Sequence, residues 1–122
     1  MTCQTVLTID DSRTIRDLLR TALIGAGFEV LQAEDGQHGL EVLHGSAPDV
    51  IITDINMPNL DGFGFIERVR AGGPHRATPI LVLTTESSAE KKARARQAGA
   101  TGWIVKPFNT DSLIQAVRRV TA

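Results

Sequence analysis

The sequence predicts one α/β domain: a doubly wound sheet of five parallel strands with five helices covering both faces. Three observations predict it. Over 122 residues the hydrophobic pattern alternates between the two-residue period of strands and the 3.6-residue period of helices, five times each. Two of the strand-type runs, DVIIT and PILVLT, are nearly continuous in apolar residues, as parallel strands covered on both sides must be. Capping residues and glycines separate the runs at short intervals, leaving no linker, low-complexity tract or strong internal repeat.

The elements follow in order. TVLTI (Thr5 to Ile9) is the first strand. Ser12 is the expected N-cap of a helix in which Ile15, Leu18, Leu19, Ala22, Leu23 and Ala26 form one apolar stripe, with Gly27 as a left-handed stop. FEVLQA (Phe28 to Ala33) is the second strand, and DGQHGLEVLHG holds a short helix bearing Leu40, Val42 and Leu43 and ending at Gly45. DVIIT is the third strand. Gly62 to Arg70 has Phe63, Ile66 and Val69 at helical spacing and is closed by AGGP. PILVLT (Pro79 to Thr84) is the fourth strand, Ser87 to Ala98 a charged, alanine-bearing helix stopped at Gly99, and GWIV (Gly102 to Val105) the fifth strand. Asn109 or Thr110 caps a last helix with Leu113, Ile114, Ala116, Val117 and Val120 inward.

Bulk composition excludes several function classes. A hydrophobic fraction of 42% supports a real core, and a net charge of -1 gives no general attraction to nucleic acid or an anionic membrane. Cys3 is the single cysteine, so no internal disulfide forms, which fits a reducing compartment; its expected role is that of a bystander. No leader pattern opens the chain and no apolar run reaches membrane-spanning length. The expectation is one cytoplasmic domain, residues 1–122, intact from Met1 and ending just after its fifth helix, so that it acts by binding rather than through an output domain of its own.

In a sheet of this kind the working crevice lies outside the carboxyl ends of the strands, where strand order reverses. Asp10 and Asp11 end the first strand, Asp54 the third, Thr84 the fourth and Lys106 the fifth, so these polar groups converge on one edge. Three carboxylates in one crevice repel one another and raise each other's pKa unless a cation joins them. With no cysteine nearby and no histidine at a strand end, the oxygen-only donor set selects a hard divalent ion, and Mg²⁺ fits best. An aspartate carboxylate is also a nucleophile toward phosphorus. Phosphoryl transfer needs positioning and charge neutralisation above all, and Lys106 supplies a mobile point charge while Thr84 offers a hydroxyl. Asp54 is therefore expected half-exposed at the strand mouth, facing a metal, as the group to be modified.

These motifs (DDS after the first strand, DINMPNLDG across the third, TT after the fourth and KPF after the fifth) resemble the receiver domain of two-component response regulators, in the right order and along the whole chain. The resemblance implies a flavodoxin-like sheet of order 2-1-3-4-5. It implies that Asp54 accepts a phosphoryl group from a phosphohistidine of a sensor histidine kinase of the CheA type. Asp11 and Asp54 would bind Mg²⁺ directly with the backbone carbonyl of Asn56, while Asp10 acts largely through water. Thr84 and Lys106 would read the phosphorylated state, with the Lys106–Pro107 peptide cis. Such a protein catalyses only its own phosphorylation and dephosphorylation and is not otherwise an enzyme.

Within that family the chain is similar to the single-domain chemotaxis regulators of the CheY type, which implies a monomer and a flagellar motor switch protein as target. Asn56 and Glu86 match that group at two positions flanking the phosphoryl site, which the family links to how fast the aspartyl phosphate hydrolyses. Trp103 stands where most such proteins carry Tyr or Phe, whose ring swings inward as Thr84 moves. Trp is larger and donates only through its indole N–H, so its coupling is expected to differ.

The helix from Ser87 to Ala98 carries Lys91, Lys92, Arg94 and Arg96 with few large apolar residues, so little anchors it. With Trp103 and the last helix, bearing Arg118 and Arg119, it is expected to form a basic docking face for an acidic or amphipathic segment, and the resemblance points to the same face. His38, His44 and His75 read as surface residues. GFGF resembles a dinucleotide loop but lacks the third glycine and follows a turn, so it reads as helix-start packing. Two rival functions remain: a phosphate sink or phosphorelay intermediate, and a Mg²⁺-dependent phosphatase working through an aspartyl phosphate. Phosphatases of the haloacid dehalogenase type place D-x-D after the first strand, whereas Asp10 and Asp11 are adjacent here.

Overall fold

The computed structural model describes residues 4–122, so Cys3 lies outside the described residues. The elements alternate without interruption: β1 (Thr5–Ile9), α1 (Arg13–Gly25), β2 (Glu29–Ala33), α2 (Gly36–His44), β3 (Val50–Thr53), α3 (Gly62–Arg70), β4 (Ile80–Thr84), α4 (Ala89–Ala98), β5 (Gly102–Val105) and α5 (Thr110–Thr121). The strands form one sheet, all neighbours parallel, in the expected order β2-β1-β3-β4-β5. Ile9 pairs with Ala33 on one side and Thr53 on the other, Thr53 with Val82, and Thr84 with Val105, so the carboxyl ends of the strands share one edge.

Successive strand residues face opposite sides of a sheet, and here the two sides build two cores. Leu7, Ile9, Ile51, Ile80 and Val82 pack with Leu43 of α2, Phe63, Phe65, Ile66 and Val69 of α3 and Ala95 of α4. Val6, Ile52, Leu81 and Leu83 pack with Leu19 and Leu23 of α1 and Leu113, Ile114 and Val117 of α5. Both β3 and β4 are buried along their whole length, as the apolar runs required. Phe65 is fully buried although it lies off the predicted stripe of α3. Gly39 makes room for it: a Cβ there would sit only 3.0 Å from the Phe65 ring, so the missing side chain lets α2 approach closely.

Local chemistry sets the helix ends. Ser12, Asp35, Asp61, Ser88 and Asn109 each accept a hydrogen bond from the backbone N–H three residues on, at 3.3, 2.8, 2.8, 3.2 and 3.0 Å. Because Ser88 is the cap, α4 begins at Ala89 rather than at Ser87. Gly27 and Gly99 are left-handed, with φ of 96° and 114°.

Two expectations need correction. Leu18 is 54% exposed: it lies at the margin of the α1 stripe, beyond the reach of the sheet, beside Thr14, Asp17 and Thr110. His38 and His75 are half-buried rather than surface residues. His38 Nδ1 accepts from the Glu34 N–H at 3.2 Å and His75 Nε2 lies 2.9 Å from the Leu43 carbonyl.

The weak anchoring of α4 is as expected, since Ala95 is its one buried residue. Arginines hold it instead. The Arg94 guanidinium lies 4.1 Å above the Phe63 ring, and half-buried Arg70 donates from Nε to the Gly99 carbonyl at 3.0 Å and from Nη1 to the Thr78 carbonyl at 2.6 Å. Among the described residues no helix is long and apolar enough to cross a membrane.

Candidate functional site

The parallel register delivers the end of each central strand to one place. The Asp54 N–H donates to the Ile9 carbonyl at 3.0 Å and the Lys106 N–H to the Thr84 carbonyl at 2.8 Å, so the chain continues each ladder one residue beyond its strand. Asp10 and Asp54 thus emerge side by side, and Lys106 reaches back over them. Its Nζ lies 2.7 Å from Asp10 Oδ2 and 2.9 Å from Asp54 Oδ2, one ammonium shared by two carboxylates. The remaining oxygens are occupied by backbone donors: Asp10 Oδ1 accepts from the Ser12 N–H at 2.9 Å and Asp54 Oδ1 from the Ile55 N–H at 2.6 Å. The Lys106–Pro107 peptide is cis.

Asp54 is 9% exposed and Asp10 2% exposed, which corrects the expectation that Asp54 is half-exposed. The sequence places the carboxylate at a strand mouth but cannot show that a lysine from four elements later lies over it. Burial also changes the expected electrostatics. It is burial that raises the Asp10 carboxyl above its ordinary range, against the hydrogen bonds of Lys106 and the Ser12 N–H, and repulsion from Asp54 is the weakest contribution. For Lys106 burial pulls the other way, yet its hydrogen bonds to Asp10 and Asp54 prevail and hold the ammonium above its usual value.

Asp11 is exposed, and one carboxylate oxygen from each of Asp10, Asp11 and Asp54 lies within 4.8 Å of the others. Three carboxylates against one ammonium leave two negative charges, and all the donors are oxygens. This set fits a hard divalent cation such as Mg²⁺ and suits zinc poorly. Thr84 is fully buried, its Oγ1 accepting from the Glu86 N–H at 3.3 Å. Asn56 and Glu86 meet across the mouth of the site, Nδ2 to Oε1 at 3.0 Å, and Lys91 Nζ lies 3.0 Å from the same oxygen.

Two positioning residues escaped the sequence reading. Asn59, left-handed at φ 67°, donates from Nδ2 to Asp35 Oδ2 at 2.7 Å. Asp35 also caps α2, and the His38 N–H followed by Asn59 holds its carboxyl below the usual range. The pair fastens the loop after Asp54 to the start of α2. The signals were present: an Asp immediately before a helix-starting glycine, and an Asn suited to the left-handed region. Gly62 completes the clamp, since a Cβ there would strike the Asp54 carbonyl oxygen.

The expected docking face is only partly assembled. Trp103 is half-buried against the core beneath α4, its Nε1 buried with no acceptor among the described residues. Lys92 is exposed and lines a small cavity of about 70 Å³ with Ala95, Arg96 and Trp103. Lys91 is paired with Glu86, and Arg94 lies on Phe63. Arg118 does not belong to this face: its Nη2 donates to the Ala26 carbonyl at 3.3 Å, so the side chain lies along the end of α1. Helical spacing identifies it as exposed but not toward which neighbour it leans.

Comparison with known proteins gives this geometry its context. The chemotaxis response regulator CheY4 of Vibrio cholerae is 46% identical, with a TM-score of 0.92 over 98% of this chain and 99% of that one. The receiver domain of sensor histidine kinase PA1611 from Pseudomonas aeruginosa, with a magnesium ion coordinated in its active site cleft, is 25% identical with a TM-score of 0.90, covering 98% of each chain. A probable transcriptional regulator, ycf27 of Guillardia theta, is 36% identical over 119 residues, 98% of this chain and 46% of that protein. This chain spans about half the length of the curated relatives it matches. The response regulator receiver domain profile matches residues 6–118, from β1 into α5 and through every strand end described above. On that match, this chain belongs to the receiver domain family of two-component response regulators.

Proposed function

We propose that Asp54 accepts a phosphoryl group from a phosphohistidine of a sensor histidine kinase, and that the modified domain then binds a downstream target. The observation that carries this reading is the single ammonium of Lys106 spanning Asp10 and Asp54 at 2.7 and 2.9 Å. A carboxylate oxygen of Asp54 attacks phosphorus, the phosphorus–nitrogen bond to imidazole breaks, and the leaving nitrogen keeps the electron pair and takes up a proton. Lys106 leaves the carboxylate it covers and follows the negative charge onto the phosphoryl oxygens, and Thr84 donates its hydroxyl to another. Asp10, Asp11, Asp54 and the backbone carbonyl of Asn56 would hold Mg²⁺, which supplies charge neutralisation on the phosphoryl group. The reaction is the domain's own modification and reversal, and a cytoplasmic setting suits a kinase that draws on ATP.

The chemotaxis reading, with a flagellar motor switch protein as target, draws support from the likeness to the Vibrio cholerae regulator along nearly its full length. A second reading, the receiver portion of a transcriptional regulator, is favoured by curated relatives about twice as long as this chain. Intact-mass spectrometry with Mg²⁺ and acetyl phosphate tests the shared step. The wild type gains one phosphoryl group and Asp54→Asn gains none; equal gain by both removes Asp54 as acceptor. Binding of the phosphorylated form to a motor switch protein, absent from the unmodified form, then separates the two outputs.

A further inference from the structure

At the mouth of the Asp54 pocket three side chains form a bridge between segments distant in sequence. Asn56, two residues past Asp54, donates to Glu86, two residues past Thr84, and Lys91 in the first turn of α4 pairs with the same Glu86 oxygen, both contacts measuring 3.0 Å. The Glu86 backbone is held as well, its N–H donating to Thr84 Oγ1 at 3.3 Å. The Lys91 backbone is fixed by the cap of α4, its N–H donating to Ser88 Oγ at 3.2 Å. Glu86 is thus a fixed carboxylate beside the pocket. The donors Asn56 and then Lys91 hold its pKa below the usual range.

A phosphodonor is itself an anion, and the acceptor site already carries more carboxylates than ammonium groups. A further unneutralised carboxylate at the entrance repels it. In sequence Lys91 reads as one of several surface cations on α4; in the structure its side chain, 44% exposed, is committed to Glu86. We infer that Lys91 is a positioning residue for phosphoryl transfer: by pairing with Glu86 it neutralises a carboxylate at the pocket mouth and lowers the repulsion met by an anionic phosphodonor. The inference rests on Asp54 being the acceptor, as proposed above.

A mutant cycle tests it. The rate of phosphoryl uptake from acetyl phosphate with Mg²⁺ is measured by intact mass for the wild type, Lys91→Gln, Lys91→Arg, Glu86→Gln and the double variant Lys91→Gln/Glu86→Gln, at low and high salt. For a partly exposed pair, Lys91→Gln slows uptake by about two- to fivefold at low salt, the deficit shrinks at high salt, and Lys91→Arg restores the rate. In the Glu86→Gln background the Lys91 substitution has no effect, the mark of two residues acting through each other. Uptake by Lys91→Gln at the wild-type rate overturns the inference. So does an equal slowing in the Glu86→Gln background, which shows that Lys91 acts without Glu86, by supporting α4 or by attracting the donor directly. Wild-type protein that takes up no phosphoryl group overturns the functional reading itself, and this inference with it.

Discussion

The middle of the sheet and its carboxyl edge lie one residue apart and follow opposite rules. In the middle, β3 and β4 are buried along their whole length, their apolar side chains packed into the cores on both faces, and stability grows with area removed from water. At the edge Asp10 and Asp54 are buried and Lys106 half-buried, and burial works against the Asp10 carboxylate strongly enough to raise its pKa despite the two hydrogen bonds that its carboxylate oxygens accept, from Lys106 and the Ser12 N–H. The middle is built for stability. The edge holds a carboxylate at a standing cost, with the Lys106 ammonium spanning Asp10 and Asp54 above it.

The comparison breaks most visibly in the core. Leu113→Ala should lower stability by about 2–5 kcal/mol in urea unfolding, while the phosphoryl group taken up per folded molecule stays unchanged. If uptake fell in proportion to stability, the two regions would not be separable.

Asp10→Asn should act in the reverse sense. It removes a charge held in an unfavourable place and leaves Lys106 paired with Asp54, so unfolding stability at neutral pH rises by on the order of 1 kcal/mol while phosphoryl uptake falls. A loss of stability would show that the Lys106–Asp10 pair repays its burial.

The pH dependence sharpens the same point. Asp10 is raised, so the folded protein binds its proton more readily than the unfolded chain does. Its penalty is fully present above the raised value and is relieved as pH falls toward the ordinary 3.8. Lys106 is also raised, so its contribution is complete below 10.5 and is lost as pH climbs through the higher folded value. Thermal melts across pH should show both limbs, and Asp10→Asn should flatten the acid one.

The smallest effect is expected at the rim. Arg94→Ala removes the guanidinium from the Phe63 ring and should cost about 0.5–1 kcal/mol. It should speed amide exchange in α4 ahead of α5, which buries Leu113, Ile114 and Val117. Uniform acceleration across both helices would argue that α4 does not move independently.

Much of this was legible in the sequence because the information was local. Ser12 and Asn109 announce helix starts, Gly27 and Gly99 announce ends, and the apolar runs of β3 and β4 announce a covered sheet. Strand order then places Asp10, Asp11, Asp54, Thr84 and Lys106 at one edge. What escaped depended on reach across the fold. Leu18 satisfies the helical spacing yet lies past the margin of what the sheet covers. Asp54 ends a strand, but Lys106 from a distant segment decides how much water it sees. Arg118, Lys91 and Arg94 share a charge sign, and only side-chain direction shows that one lies along α1, one pairs at the pocket mouth and one stacks on Phe63. Asn59 and Asp35 needed a contact across 24 positions.

The lone buried alanine of α4 carries a consequence for how this protein can change over generations. Apart from Ala95, the core-packed Ala98, and Lys91 and Arg94 with their partners, the positions on this helix face outward and can vary without opening the core. Outward residues such as Glu90, Lys92 and Gln97 can therefore change one at a time while Asp10, Asp54, Thr84 and Lys106 keep their places at the strand ends.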